Sequence, residues 1–203
     1  MSNVKVKVCG ISNTEMVKQL VKLQLDFIGF IFYKKSPRYV SNQIVQDLLS
    51  LDFGNTRPVC VYVNPTKDYV LETSSYFDNP ILQFHGEEPE SFCNSFNLEY
   101  WKAIRVKNSS SFAEILSYQS AKAILLENHK DGLYGGTGEA FDWSLIKSHD
   151  HQNKKIILSG GINIENVDNA KDTLPWCIDL NSGVESSEGK KDMKLIIMNV
   201  TQQ

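Results

Sequence analysis

The chain has 203 residues, of which 41% are hydrophobic and 22% charged, and its formal net charge is −3 at pH 7. These values are typical of a globular protein with a sizeable core, and the lack of a basic excess argues against a nucleic-acid partner. No apolar segment is long enough for a membrane span and no secretory signal is visible. Four cysteines without CxxC or Cys/His metal spacing favour free thiols in the cytoplasm.

The first predicted strand is Val4–Cys9, where valine alternates with lysine and cysteine. This period of two places Lys5, Lys7 and Cys9 on one face. Apolar runs predict seven more strands, at 27–32, 58–63, 81–84, 100–106, 123–127, 155–159 and 175–180. Helices are predicted between them, at about 14–23, 42–51, 67–77, 109–118, 142–148, 164–172 and 192–200, with one more after Pro89. Asn163 is the predicted cap of the helix at 164–172.

Eight strands alternating with eight helices predict a closed (β/α)8 TIM barrel that forms one domain over residues 1–203. The alternative is an open, doubly wound parallel sheet. We prefer the barrel because the strand count fits it and because the first turn, CGIS at 9–12, is not a dinucleotide-binding GxGxxG loop. Barrel chemistry is found where strands end, which selects Cys9, Arg38, Asn64, His85, Arg105, Glu127, Gly160-Gly161 and Ser182-Gly183.

Glu127 ends the apolar run at 123–126 and precedes a polar, glycine-rich loop. This loop contains Gly135, Gly136, Thr137 and Gly138, and a new helix opens at 141–143. A carboxylate at a strand end followed by a flexible segment is typical of an acid under a mobile lid. Asp131 is a second candidate acid, but a loop charge of this kind is more often solvated.

Short motifs in a fixed order run through most of the chain. They are KVCGI at 7–11, IGFIF at 28–32, SPRYV at 36–40, LQFHG at 82–86, LLE at 125–127, GGTG at 135–138, FDW at 141–143, LSGGI at 158–162, NSGVE at 181–185 and GKKD at 189–192. Together they resemble the phosphoribosylanthranilate isomerase family. The resemblance implies an Amadori rearrangement in tryptophan biosynthesis, without a metal or a redox cofactor, by a monomer or a homodimer.

The resemblance also implies roles for individual residues. Cys9 matches the general base and Glu127 the general acid, and Arg38 would face the anthranilate carboxylate. The phosphate would be held by Gly160, Gly161, Ser182 and Gly183. The family normally has Asp where this chain has Glu127, which moves the carboxyl by roughly 1 Å. It has Ala-Gly-Gly and Ser-Ser-Gly where this chain has Ser159-Gly160-Gly161 and Asn181-Ser182-Gly183.

Each assignment has a structural alternative. An isolated cysteine is more often a small buried hydrophobe than a base, Arg38 alone reads as a surface arginine, and each glycine pair reads as an ordinary turn. His85 is equally compatible with substrate contact and with a structural role. At the level of function, the alternatives are a sugar-phosphate barrel of different specificity and a barrel that binds a phosphosugar without turnover.

Lys7 and Asp179 are predicted to point inward from neighbouring strands. We expect them to form a buried ion pair beside Cys9, because an unpaired interior lysine is costly, and we also expect Asp179 to lie near the substrate. A free thiol has a pKa of about 8.5 and is a poor base at neutral pH. Lys7 and the start of the first helix, expected just after Cys9, are the two candidates for stabilising its thiolate.

Overall fold

The computed structural model describes residues 4–129, 140–148, 151 and 153–201. Eight parallel strands close into a barrel in chain order, with β1 hydrogen-bonded to both β2 and β8. The strands are β1 (Lys5–Cys9), β2 (Phe27–Ile31), β3 (Arg57–Tyr62), β4 (Ile81–Phe84), β5 (Tyr100–Val106), β6 (Ala123–Asn128), β7 (Lys155–Leu158) and β8 (Cys177–Leu180). The predicted TIM barrel is confirmed, and closure between β1 and β8 excludes the open sheet.

A helical segment follows every strand of the barrel. The α-helices are α1 (Thr14–Lys22), α2 (Asn42–Leu48), α3 (Lys67–Ser74), α4 (Glu90–Cys93), α5 (Ser144–Ser148), α6 (Val167–Asp172) and α7 (Met193–Thr201). Short 3-10 helices cover Asn94–Phe96, Ser109–Ser117 and Ser182–Val184. A two-stranded antiparallel hairpin, β9 (Glu185–Ser187) and β10 (Lys190–Lys191), lies between β8 and α7. No helix within the described ranges is long and apolar enough to cross a membrane.

Two cores follow from the alternation of side chains along the strands. Outward-facing residues such as Val8, Ile28 and Phe30 pack against the helices. Inward-facing residues fill the barrel, and at its N-terminal end Trp101 makes edge-on contacts with Phe27 and Trp176, with ring centroids 4.9 and 5.8 Å apart. These aromatic rings fill the N-terminal end of the barrel, where Lys5 and Lys155 lie over the rings of Phe27 and Trp176, and the buried polar side chains of the interior lie toward the opposite end.

The predicted strands agree with the observed ones to within two residues at each end, and 81–84 and 100–106 agree completely. The predicted start of the helix at 164–172 is wrong. The Asn163 side chain accepts from the backbone N–H of Glu165, and the N–H of Asn163 donates to Asn166 Oδ1. Side chains therefore close a turn over 163–166, and α6 begins only at Val167.

Candidate active site

Buried polar side chains gather inside the C-terminal half of the barrel. They lie on inward-facing strand positions or one residue beyond a strand end, on the side where Cys9, Val59 and Leu125 belong to one interior cluster. Because all eight strands are parallel, their C-terminal ends meet at one mouth. The buried polar residues of this set are Lys7, Cys9, Gln83, His85, Glu127, Ser159 and Asp179.

Cys9 is the last residue of β1, and a glycine on the neighbouring strand makes room for it. In the register of the sheet Cys9 lies beside Gly29. A Cβ added at Gly29 would lie 2.7 Å from Cys9 Sγ, closer than real Cβ contacts allow, and 3.0 Å from Cys9 Cα. The sequence IGFIF therefore keeps the space into which the thiol projects, and Cys9 is left 4% exposed.

The predicted ion pair between Lys7 and Asp179 is confirmed. Lys7 Nζ donates to Asp179 Oδ2 at 2.7 Å, and the two side chains are 0% and 4% exposed. Burial lowers the pKa of Lys7, but the charges of Asp179 and Cys9 outweigh it and raise that pKa overall. Lys7 is therefore a fixed positive charge next to the thiol.

The pKa of the Cys9 thiol is raised, which differs from the expectation of a lowered value. Burial is the largest cause, and the positive charge of Lys7 opposes it. The predicted start of the first helix is confirmed, since α1 begins at Thr14 after the N-cap Asn13. This N-terminus lies several residues beyond Cys9, and because the effect of a helix dipole falls off within one turn, it adds little to the stabilisation of the thiolate. Lys7 and, more weakly, Lys191 are the cations that favour the thiolate.

Glu127 and His85 form a hydrogen-bonded pair across the mouth. His85 Nε2 and Glu127 Oε1 are 2.7 Å apart, and both residues are buried. His85 Nδ1 lies 3.1 Å from Nε2 of Gln83, the inward-facing residue two positions earlier. The imidazole thus connects an amide on β4 to the carboxyl on β6, and it fixes the position of that carboxyl.

An ion pair outside the barrel wall holds the loop that carries His85. Glu88 accepts from the backbone N–H groups of Asn64 and Gly86, and Lys102 Nζ donates to Glu88 Oε2 and to the carbonyl of Gly86. At Gly86 a Cβ would lie 2.4 Å from Asn64 Oδ1, so only glycine fits. His85 is therefore presented by a tightly connected turn.

Arg38 lies at the same mouth, against the hairpin that follows β8. Its Nε and Nη2 donate to Oε1 and Oε2 of Glu185 at 2.8 and 2.7 Å. This hydrogen-bonded pairing is the main cause that raises the pKa of Arg38. A Cβ at Gly10 would lie 2.8 Å from Arg38 Cδ, so the glycine after Cys9 lets the arginine approach.

The two glycine corners after β7 and β8 touch each other. Gly160 and Gly161 have φ values of +87° and +68°, a left-handed conformation that favours glycine. At Gly183 a Cβ would lie 2.0 Å from the carbonyl oxygen of Ile162, so the two loops pack backbone to backbone. Ser182 and Gly183 lie in a single 3-10 turn.

Comparisons with known proteins agree with this arrangement. The family described as N-(5'phosphoribosyl)anthranilate (PRA) isomerase matches residues 6–202. The chain belongs to the PRA isomerase family. It is 39% identical over 192 residues to the N-(5'-phosphoribosyl)anthranilate isomerase of Nitrosospira multiformis, covering 94% of this chain and 91% of that protein.

Solved structures of PRA isomerases have the same fold. The crystal structure of the enzyme from Thermotoga maritima superposes with a TM-score of 0.85 at 36% identity and covers 97% of both chains. A PRA isomerase in complex with reduced 1-(o-carboxyphenylamino)-1-deoxyribulose 5-phosphate gives a TM-score of 0.82 at 35% identity, covering 97% of this chain and 96% of that one.

Within the PRA isomerase frame, most of the predicted residues are brought together. Cys9, His85, Glu127 and Asp179 lie at one mouth. Along the shorter way round the barrel, β7 and β8 lie between β6, which carries Glu127, and β1, which carries Cys9. The predicted lid residues, Gly135, Gly136, Thr137 and Gly138, lie outside the described residues, as does Asp131.

Sequence reasoning missed three residues that contact this site. Gln83 is inward-facing beside His85, and its position two residues before the histidine was the available signal. Glu185 and Lys191 lie in the NSGVE and GKKD motifs that carry the resemblance, but no role followed from those motifs alone.

Proposed function

We propose that this protein converts N-(5'-phosphoribosyl)anthranilate into 1-(2-carboxyphenylamino)-1-deoxy-D-ribulose 5-phosphate, an isomerisation in tryptophan biosynthesis. Membership of the PRA isomerase family over residues 6–202 carries this conclusion. A buried thiol and a buried carboxyl at one barrel mouth supply the base and the acid that the reaction requires.

The reaction needs two proton transfers on one substrate. An acid protonates the furanose ring oxygen, the bond from that oxygen to C1 breaks, and the nitrogen lone pair forms an iminium ion. A base then removes the proton from C2, and the C–H electrons form an enolamine that tautomerises to the ketone. Atoms and charge balance without an oxidant or another reactant, so positioning and proton transfer carry the catalysis.

Cys9 is the base in this proposal. Only the thiolate can take the C2 proton. Lys7 supports this role because its charge and hydrogen bond lower the thiol pKa against the effect of burial. Gly29 supports it through the space that it leaves beside Sγ. Cys60 and Cys93 lie in the outer core, and Cys177 is the first residue of β8, at the N-terminal end of the barrel away from the mouth, so none of them has a comparable setting.

Glu127 is the acid, and His85 is its positioning residue. The observed contacts fit an imidazole that donates Nε2–H to Glu127 Oε1 and accepts at Nδ1 from the amide of Gln83. His85 thus holds Oε1, and the proton for the furanose oxygen is carried on Oε2 of Glu127.

The phosphate is assigned to the two glycine corners. No described acceptor takes the N–H of Gly160 or Gly161, and Ser182 and Gly183 lie directly beside them. Successive backbone N–H groups in a turn form anion-binding concavities, and barrels frequently hold phosphate after strands seven and eight. Because α6 starts at Val167, these amides rather than a helix dipole carry the assignment.

A fluorescence assay on the purified protein tests the proposed function. The anthranilate fluorescence of the substrate should disappear with time, and Cys9→Ser and Glu127→Gln should each lower the rate by about a hundredfold or more. Cys60→Ser, on the outer face of β3, and the exposed Glu87→Gln are the matched controls and should retain wild-type rates.

The same experiment separates the alternatives. If the reduced product analogue raises the melting temperature but no turnover appears, the barrel binds a phosphosugar without converting it. If another phosphosugar is turned over and this substrate is not, the specificity differs. The cytoplasmic location, the single-domain organisation and the choice between monomer and homodimer stay predictions.

A further inference from the structure

The hairpin formed by β9 and β10 contacts the mouth through two charged side chains, Glu185 and Lys191. The side chains of both residues are almost fully buried, at 4% and 2% exposed. Their partners come from two other loops, Arg38 after β2 and Asn181 after β8. The hairpin therefore joins the loops on either side of β1, next to Cys9.

The carboxylate of Glu185 has a complete set of hydrogen bonds. Oε1 accepts from Arg38 Nε at 2.8 Å and from Lys191 Nζ at 2.6 Å. Oε2 accepts from Arg38 Nη2 at 2.7 Å and from the backbone N–H of Gly189 at 3.2 Å. A carboxylate has about four acceptor sites, so Glu185 has none left for a ligand.

The hydrogen-bond donors of Lys191 are also all used. Its ammonium donates to the carbonyl and to Oδ1 of Asn181, at 3.0 and 2.7 Å, and to Glu185. An ammonium has three donors, so Lys191 contributes charge and anchors the hairpin but does not itself contact a ligand.

Arg38 is the member of this group with donors to spare. Glu185 occupies the side-on edge of the guanidinium, formed by Nε and Nη2. No described residue accepts from Nη1, so the end-on edge formed by Nη1 and Nη2 stays open. This edge matches the two oxygens of a carboxylate. Two cations against one carboxylate also leave the hydrogen-bonded group with one surplus positive charge, which the exposed Glu188 offsets only weakly through solvent, and this favours an anion.

We propose that Glu185 and Lys191 are positioning residues that hold the Arg38 guanidinium side-on, so that its end-on edge binds the carboxylate on the substrate's aromatic ring. The inference rests on the proposed function, because that function supplies the aryl carboxylate. It makes the hairpin the determinant of selectivity for an N-aryl group that carries this carboxylate.

Binding of two ligands tests the proposal without turnover. One is the reduced product analogue, and the other is its phenylamino counterpart, which lacks the carboxyl group. The wild type should bind the carboxylated ligand more tightly. Glu185→Gln should weaken that ligand by about tenfold or more, the value of one charge-assisted contact, and should change the other ligand by less than about twofold.

Further variants separate positioning from a general structural role. Glu185→Asp keeps the charge but shortens the reach and should show a smaller loss of selectivity, and it replaces Glu185→Gln if the latter does not fold. Lys191→Met should also reduce selectivity, because it removes the surplus charge. Lys190→Met, on the exposed neighbour in β10, is the matched control and should behave as the wild type.

Two results would overturn the proposal. Equal weakening of both ligands would make the hairpin a scaffold without selectivity. Tighter binding of the carboxylated ligand by Glu185→Gln would mean that the substrate competes with Glu185 for the same edge of Arg38. Failure of the wild type to turn over substrate or to bind either ligand would instead refute the proposed function, so the two failures are distinguishable.

Discussion

Replacing Lys7 with methionine should damage both stability and catalysis, and a second substitution should separate the two effects. Lys7 and Asp179 are almost fully buried, and their charged atoms are 2.7 Å apart. Removing one partner of such a pair leaves an uncompensated buried charge, which costs about 3–5 kcal/mol. Oδ1 of Asp179 has no described hydrogen-bond partner, so no group is in place to take over from the lysine.

The double variant Lys7→Met/Asp179→Leu should recover most of that loss, because two apolar side chains replace the whole pair. Catalysis should not recover. Loss of Lys7 raises the pKa of Cys9, and loss of Asp179 in the double variant offsets only part of that rise, because Lys7 has the larger effect. At neutral pH each unit of increase removes about nine-tenths of the remaining thiolate. We expect kcat at pH 7 to fall at least about tenfold in both variants.

Urea unfolding and the pH profile of kcat measure the two effects. Because the thiolate is the base, the rate of the wild type should rise with pH toward the raised pKa of Cys9, and the rise should shift to higher pH in both variants. Lys5→Met is the matched control. Its pair with Asp26 is partly exposed, so its loss should cost less than about 1 kcal/mol. A double variant with wild-type kcat and an unchanged pH profile would refute the role given to Lys7.

Three further predictions concern other contacts of the site. Gly29→Ala should lower kcat by about tenfold or more while the protein still folds, because the new methyl group would meet Cys9 Sγ at 2.7 Å. A kcat and a rate of Cys9 labelling by a thiol reagent that both equal the wild-type values would contradict this. Glu127→Asp should lower kcat by up to about a hundredfold, since the shorter side chain loses its 2.7 Å contact with His85. A variant at least as fast as the wild type would show that the contact is not needed. Burial raises the pKa of Glu185, but the hydrogen bonds and charges of Arg38 and Lys191 together outweigh it and lower the pKa from its ordinary 4.5 to about 2. A depressed carboxyl pKa stabilises the fold above pH 4.5, and this contribution is lost as the pH falls from 4.5 toward 2. The difference in the free energy of unfolding between wild type and Glu185→Gln should therefore shrink as the pH falls over that range. A constant difference would argue against the stabilisation of the Glu185 carboxylate by Arg38 and Lys191.

The strands could be predicted from the sequence because their signal is local. Alternation in Val4–Cys9 identified the inward face, and the apolar run at 100–106 gave β5 without error. The start of α6 was missed because two asparagine side chains close a turn that mimics the first turn of a helix. The hairpin at 185–191 was missed because it is short and polar, so neither periodicity nor length marks it.

The site divides in the same way. Cys9 and Glu127 are found at strand ends, which sequence alone can locate. The partner of Arg38 could not be inferred, because Glu185 is 147 residues away and nothing in either motif names the other. Likewise, the rise in the Cys9 pKa follows from the depth of burial, which a sequence pattern does not measure.

The ion pair between Arg38 and Glu185 crosses the place where the first and last strands of the barrel pair and close it. The first four strands bring the arginine and the last four bring the glutamate. Separate halves of the chain, even if each kept its own native form, would therefore each hold an incomplete receptor for the aromatic acid. Recognition arises only on reassembly, which makes ligand selectivity a direct readout of whether complementing fragments have joined correctly.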